Sequence, residues 1–339
     1  MTHRFPIKEI ARQACISTAT VDRVLNKRPN VSPQTRNRVR AAIQELRAQE
    51  DQMSARGRRL FVDIVAEAPA RFTNEIRTAT EAVLPTLGSG VFRPRFTFHE
   101  RFSDTDTVTM LRRIGKRGSH GVCLKVRDTP IVTDAVQQLV VAGIPVVTLV
   151  TDLPHAHRSN YIGLDNANAG RTAAYLLAKT VRTVGGTVLT TRSQTEFHGE
   201  AERHVHFCET LAISRPDLSV ADFSGGAGLS SATTLNLAAT LGAIHDPVAV
   251  YSMGGGNDAI LKHLDERGYT DLTFIAHDLD SDNRSLLQKG RINFLLNHDL
   301  QTDMRHVFHA LAAHHGLAVT QSEFLNSDVQ IITPFNIPA

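Results

Sequence analysis

The chain has 339 residues, 42 % apolar and 21 % charged, long enough for more than one domain and apolar enough for a sizeable core. No apolar run reaches the roughly 18 residues of a spanning helix, and with no Trp and 6 % aromatics, stacking on single-stranded nucleic acid is not the expected main activity. The net charge of +3 hides an asymmetry: residues 1–59 hold 13 Lys and Arg against 5 Asp and Glu, +8, while the rest holds 24 against 29, −5.

A small basic head on a mildly acidic body points to a polyanion-binding module attached to something else. Residues 1–13 carry charges where a signal peptide needs an apolar stretch. Cys15, Cys123 and Cys208 share no metal-like spacing and cannot all pair, so a cytoplasmic location is expected. In the head, Ile7, Ile10, Ala11 and Ala14 fall at helical spacing, and Cys15-Ile16 follows as a turn. Ser17 is placed to cap a second helix from Thr18 to Leu25 that buries Val21, Val24 and Leu25. After the loop Asn26–Asn30, Ser32-Pro33 opens a third helix through Leu46. Two short helices around a tight turn, then a supporting helix, make a helix-turn-helix arrangement. The second helix turns Thr18, Ala19, Asp22 and Arg23 outward, a set able to read base edges: Arg23 can take a guanine bidentately, and Asp22 can accept from cytosine or orient Arg23.

From Leu60 onward strands alternate with helices. Strand patterns cover Leu60–Ala66, Phe96–His99, Gly121–Val126 and Ile144–Val150, with helices over 74–87, up to Arg117, and over 130–142. The pattern restarts at Thr187–Thr190, Ala249–Ser252 and Thr273–Ala276, and Val329–Thr333 reads as a final strand. Repeated β-α-β units imply two parallel sheets flanked by helices, with ligand held at the carboxyl ends of their strands. An enzyme has no positive support. Gly254-Gly-Gly-Asn257 fits neither a dinucleotide nor a phosphate loop, and there is no G-x-S-x-G elbow. The pairs His204/His206 and His306/His309 lack further ligands and read as surface or structural histidines, so neither metal nor cofactor is expected.

The segments Ile7-x-x-Ile-Ala, Ile16-Ser-Thr-Ala-Thr-Val-Asp-Arg-Val-Leu-Asn26 and Val31-Ser-Pro-x-Thr-Arg36-x-x-Val39 resemble the headpiece of the lactose/galactose-repressor (LacI/GalR) family. The family form is V-S-x-x-T-V-S-R-V-L-N, then V-S-x-x-T-R-x-x-V; Asp22 stands where Ser is usual. The resemblance implies DNA contacts from Ser17, Thr18, Ala19, Thr20, Asp22, Arg23, Asn26, Ser32, Thr35 and Arg36. The hinge departs from the family's Y-x-P-N-x-x-A-x-x-L. Residues 47–59 offer only Met53 as an apolar wedge and Arg56, Arg58 and Arg59 for phosphates, and a flexible charged linker is an equal reading.

The body resembles the same family's periplasmic-binding-protein type I domain through Gly143–Val150, Tyr161–Asn166, Ala169–Ala174, Glu202-Arg203-x-x-x-Phe207, Gly255–Asp258 and Ala276-His-Asp278. The implied fold is an all-α headpiece and hinge over 1–59 and a two-lobed α/β domain over 60–339. Lobe 1 would take about 60–179 and 297–323, and lobe 2 about 180–296 and 324–339. Effector contacts are implied for Phe72, Asp165, Arg203, Asn257 and Asp278, with His298 where Gln or Asp is commoner. His206, where Gly is usual, would crowd its helix and narrow the pocket. The function implied is a homodimeric repressor of carbohydrate or polyol use, partnered by double-stranded operator DNA and a sugar-like effector and without a membrane role. The alternatives are a solute-binding module, against which the basic head counts, and a sugar-modifying enzyme.

Overall fold

The computed structural model describes residues 4–55, 59–87, 92–154, 158–244, 246–317 and 326–338. Two compact units emerge, one built mainly on the first 59 residues and one on the chain from Leu60 onward.

The first unit holds α1 (Ile7–Gln13), α2 (Thr18–Leu25) and α3 (Pro33–Ala55). Phe5, Ile10, Ala11, Val21 and Val39 form its core, with Ile7, Ile16, Val24, Leu25, Ile43 and Leu46 packed around them. This is the stripe that helical spacing predicts. Ser17 Oγ accepts from Thr20 N–H at 3.2 Å and Ser32 Oγ from Thr35 N–H at 3.1 Å, so both hydroxyls satisfy a first-turn donor. One expectation fails: α3 does not stop near Leu46 but runs to Ala55. No Gly or Pro interrupts residues 34–55, so nothing in the backbone ends it sooner. Arg56, Arg58 and the Met53 side chain lie outside the described residues.

The second unit contains two sheets. The first runs β2 (Phe92–His99), β1 (Leu60–Glu67), β3 (Gly121–Lys125), β4 (Val146–Leu149), β5 (Asn160–Ile162), all parallel. The second runs β7 (Ser219–Asp222), β6 (Thr187–Thr191), β8 (Pro247–Ser252), β9 (Thr273–His277), β10 (Phe294–Asn297), again parallel, with β11 (Gln330–Ile332) antiparallel at the β10 edge. Each sheet repeats the order second-first-third-fourth-fifth. Beside its first strand the winding reverses, and a crevice opens there at the carboxyl ends. Helices α4 (Ala70–Val83), α5 (Asp104–Arg117), α6 (Pro130–Val141), α7 (Asn166–Thr180), α8 (His198–Ser214), α9 (Ser230–Leu241), α10 (Asn257–Glu266), α11 (Ser281–Gln288) and α12 (Leu300–His314) cover the faces. All five residues of β3 are buried, as a strand covered on both sides requires.

The lobe boundary near residue 179 needs correction. In α7, Ala173, Ala174 and Leu177 pack with Phe207, Leu211 and Tyr251 of the second lobe, so the chain leaves the first lobe at 163–165, before the helix. A helix goes with the sheet that buries its apolar stripe, whichever strand precedes it. The chain returns after β10: Phe308 of α12 stacks on Phe92 at 4.9 Å between ring centroids. Residue 324, where the third crossing was expected, lies outside the described residues; at 326–328 the chain is beside the first crossing, where Ser327 pairs with Leu164.

Helices α7 and α8 touch through Gly170, where a Cβ would stand 2.2 Å from the carbonyl oxygen of Arg203. Gly170→Ala gains helix propensity but must push two helices apart. It is expected to destabilise the second unit by about 1–3 kcal/mol, read as a lowered urea midpoint.

Candidate functional site

On the headpiece, Ser17, Thr18, Ala19 and Arg23 are exposed along α2, as are Asn26, Ser32 and Arg36, while Thr20, Asp22 and Thr35 are half-buried. Ser17 Oγ lies 2.8 Å from Thr20 Oγ1, and Ser32 Oγ 2.8 Å from Thr35 Oγ1, so the cap pairs are tied before any partner arrives. Asp22 does not orient Arg23. Its carboxylate accepts from Asn26 Nδ2 at 2.7 Å and pairs with Arg28 at 3.3 Å, because i+4 and the following loop lie on its side of the helix and i+1 does not. Arg23 is exposed on the outward face, and among the described residues no hydrogen bond or ion pair holds its guanidinium.

In the second unit a cleft of about 670 Å³ including its mouth lies at the carboxyl ends of strands from both sheets. Glu67 ends β1, Lys125 ends β3, Ser193 follows β6, Met253 follows β8, and Asp278 follows β9. Both crevices therefore face one another, which is why the site has two walls. Phe72, Arg203 and Asp278, three of the expected effector residues, line it together.

The other three do not line it. Asp165 caps α7, accepting from Asn168 N–H at 2.9 Å and from Asn168 Nδ2 at 2.7 Å, and borders a separate shallow hollow with residues 326–329. Its neighbour Asn166 serves the cleft instead, its Oδ1 accepting from Arg203 Nε at 2.7 Å. Asn257 sits one layer back, donating to Asn283 Oδ1 at 2.7 Å. Asn283 in turn donates to the carbonyls of His277 and Asp278 at 2.9 and 2.8 Å. This clamp holds Asp278 at φ 67°, a left-handed backbone that Asp tolerates better than most residues. His298 also lies behind the wall, 3.5 Å from Asp278 and 2.5 Å from Asp303. His206 does not narrow the pocket either; it lies half-buried against Glu209 at 3.0 Å and Arg171 at 3.4 Å, on the flank of α8.

Residues not anticipated complete the walls. Glu67 accepts from Arg127 at 3.1 Å and from Gln194 of the opposite lobe at 2.9 Å. Arg71 also crosses the cleft, pairing with Asp280 at 2.9 Å and donating to the Gly228 carbonyl at 3.0 Å. Gly255, at φ 84°, lets it pass: a Cβ there would lie 2.1 Å from its guanidinium. Lys125 donates to the Glu67 carbonyl at 3.1 Å, and its ammonium stands 4.1 Å from the Phe197 ring centroid and 5.7 Å from that of Phe72. Glu200 accepts from the Ser193 N–H and hydroxyl, both at 2.6 Å. One available signal was not used: Glu67 and Lys125 are charges closing apolar strands, where carboxyl-end sites recruit side chains.

Electrostatics follow from this burial. Burial pushes Asp280 up to about 6, against the pull of the Asn283 amide and Arg71. Burial and Arg203 hold His277 well below its ordinary value; the neutral ring lies with Nε2 2.8 Å from the Tyr251 hydroxyl, while its Nδ1 has no partner among the described residues. Burial alone would lower His298, but the carboxylates of Asp278 and Asp303 outweigh it and raise it to about 9. The same contact, with Arg203, brings Asp278 to about 2 although burial opposes it.

A helix-turn-helix unit joined in sequence to a two-lobed binding domain defines a ligand-sensing transcription regulator. Residues 6–47 match the lacI family of bacterial regulatory proteins and residues 69–315 the periplasmic binding protein domain, and the chain belongs to the lacI family, with a periplasmic-binding-protein sensor domain. Solved structures of similar fold include a glucose-galactose binding protein from Geobacillus stearothermophilus, 17 % identical, covering 83 % of this chain and 99 % of that one, TM-score 0.72. A solute-binding protein from Burkholderia graminis in complex with D-arabinose is 20 % identical, with coverages of 82 and 96 % and TM-score 0.73. A putative LacI transcriptional regulator from Bacteroides fragilis is 15 % identical, with coverages of 82 and 98 % and TM-score 0.70. No curated protein matches the sequence. Among the described residues no helix is long and apolar enough to cross a membrane.

Because the His298 pKa in the fold, about 9, lies above its ordinary 6.5, its contribution to stability is complete below about pH 6.5 and is lost as pH rises through 9. Urea midpoints are expected to fall between pH 7 and pH 10. The His298→Gln variant, less stable at neutral pH, is expected to lack that part of the decline.

Proposed function

We propose that the protein represses genes of carbohydrate or polyol use, binding a pseudo-palindromic operator as a homodimer whose DNA affinity a sugar-like effector changes. One observation carries the reading: Phe72 from one wall and Arg203 and Asp278 from the other meet in a single cleft. A guanidinium and a carboxylate give charge-assisted hydrogen bonds to paired hydroxyls, and an aromatic face covers the C–H edge of a ring. That similar folds are described with glucose and galactose or with D-arabinose supports a polyhydroxylated effector. Closure of the lobes around it, coupled to DNA binding by about 1–3 kcal/mol, would make the switch. The cytoplasm is where such a switch works.

Operator binding measured with and without sugars tests this. Arg203→Ala and Asp278→Asn are expected to bind operator yet lose the effector response; Asn suits the left-handed backbone at 278 better than Ala. A response at ordinary effector concentration in either variant refutes the pocket assignment.

On DNA, Arg23 is expected to read a base edge and Arg36 a phosphate. Arg23→Ala should cost about 1–3 kcal/mol on the operator and little on scrambled duplex. Arg36→Ala should weaken both and reduce the salt slope by roughly one. Equal weakening of both duplexes by Arg23→Ala would remove that residue from sequence reading.

A further inference from the structure

The cleft is lined by three cations, Arg71, Lys125 and Arg203, and five carboxylates, Glu67, Glu100, Glu200, Asp278 and Asp280, but the charges are not evenly paired. Arg71 has Asp280 at 2.9 Å, Arg127 has Glu67 and Asp104 at 3.1 Å each, and His298 has Asp303 and Asp278. Lys125 and Arg203 differ. Both are buried, at 7 and 2 % exposure, and among the described residues neither has a carboxylate within 4 Å. Lys125 has a backbone carbonyl and two ring faces; Arg203 has the Asn166 amide. The half-buried Glu200 spends its oxygens on Ser193 and acts on the two cations only through space. Two buried cations held by neutral groups are costly unless a counter-charge joins them.

Resting on the reading of this cleft as the effector site, we propose that the effector is a sugar acid whose carboxylate sits between Lys125 and Arg203. Burial holds the Lys125 ammonium below its ordinary pKa although Glu200, Glu67 and Asp278 act through space to raise it, and Arg203 adds to the lowering, so an anion in direct contact with both cations relieves both. With Nε committed to Asn166, the remaining guanidinium nitrogens of Arg203 offer a flat pair of donors that matches a planar carboxylate. Glu67, Glu100, Glu200, Asp278 and Asp280 line the same cleft and repel a second negative charge more than a first, which favours a carboxylate over a phosphate dianion. Phe72 is left for the apolar face of the ring.

The test is calorimetric and thermal-shift binding of the full chain to D-glucuronate, D-galacturonate and D-gluconate. D-glucose, D-galactose, glucose 6-phosphate and D-glucuronamide, the uncharged amide of the first acid, serve as comparisons. At least one acid is expected to bind at least tenfold more tightly than its neutral counterpart. Lys125→Met is expected to bring that ratio towards one, and Lys125→Arg to keep it. If Lys125→Met does not fold, the acid-to-amide ratio in the unaltered protein still decides. A neutral sugar or the amide binding as tightly as the acid overturns the carboxylate while leaving a sugar effector standing. Binding of the phosphate alone overturns it in favour of a phosphorylated sugar. An unchanged ratio in Lys125→Met overturns the role of that residue, and binding of none of the compounds overturns the sugar effector as well.

Discussion

The imidazolium of His298, held between Asp278 and Asp303, is the contact on which the sensor domain turns. Asp303 is fully buried, and a carboxylate taken out of water is costly without a cation beside it. Its second oxygen accepts from the Ser327 hydroxyl, and the Ser327 amide donates to the Gly163 carbonyl at 2.8 Å. One line of polar contacts therefore runs from a cleft carboxylate through His298 and Asp303, in the segment after β10, to Ser327 and on to Gly163 in the segment at the first crossing. A ligand that engages Asp278 acts on the residue that anchors those segments, and reorganising any of them disturbs a buried charge.

The cleft in this state is bridged by the protein's own groups. Arg71 reaches Asp280 and Gly228, Gln194 reaches Glu67, the Asp128 amide donates to the Glu196 carbonyl at 2.9 Å, and Lys125 stacks on Phe197. Several of these polar groups are also the ones an effector would contact. If the cleft is the effector site proposed above, closure and recognition draw on the same side chains, and an effector adds free energy to closure only by making contacts better than those it replaces.

Elements set by local chemistry were readable one by one. The Ser17 and Ser32 caps, the apolar stripes of α1 and α2, and the buried run of β3 depend on neighbours within a few residues. Asp278 and Arg203 do line the cleft, as motifs that place them at a strand end and on a helix suggest. Asp165 was misplaced because its motif is equally that of a helix cap, and the nearby amide of Asn168 claims the carboxylate first. The true length of α3 escaped the hinge reading because residues 47–55 contain no helix breaker.

The sequence by itself determined the basic helical head and the alternating strands and helices of the body, which follow from periodicity, capping and charge, and, through its motifs, the family that both resemble. Only the tertiary structure decided that α7 belongs to the second lobe, that Asp22 serves Asn26 and Arg28, and that Lys125, Glu67 and Glu200 meet Arg203. The reason is distance along the chain: Glu67 and Arg203 are brought to one cleft by two sheets closing face to face, and local pattern carries no record of which strand ends will meet.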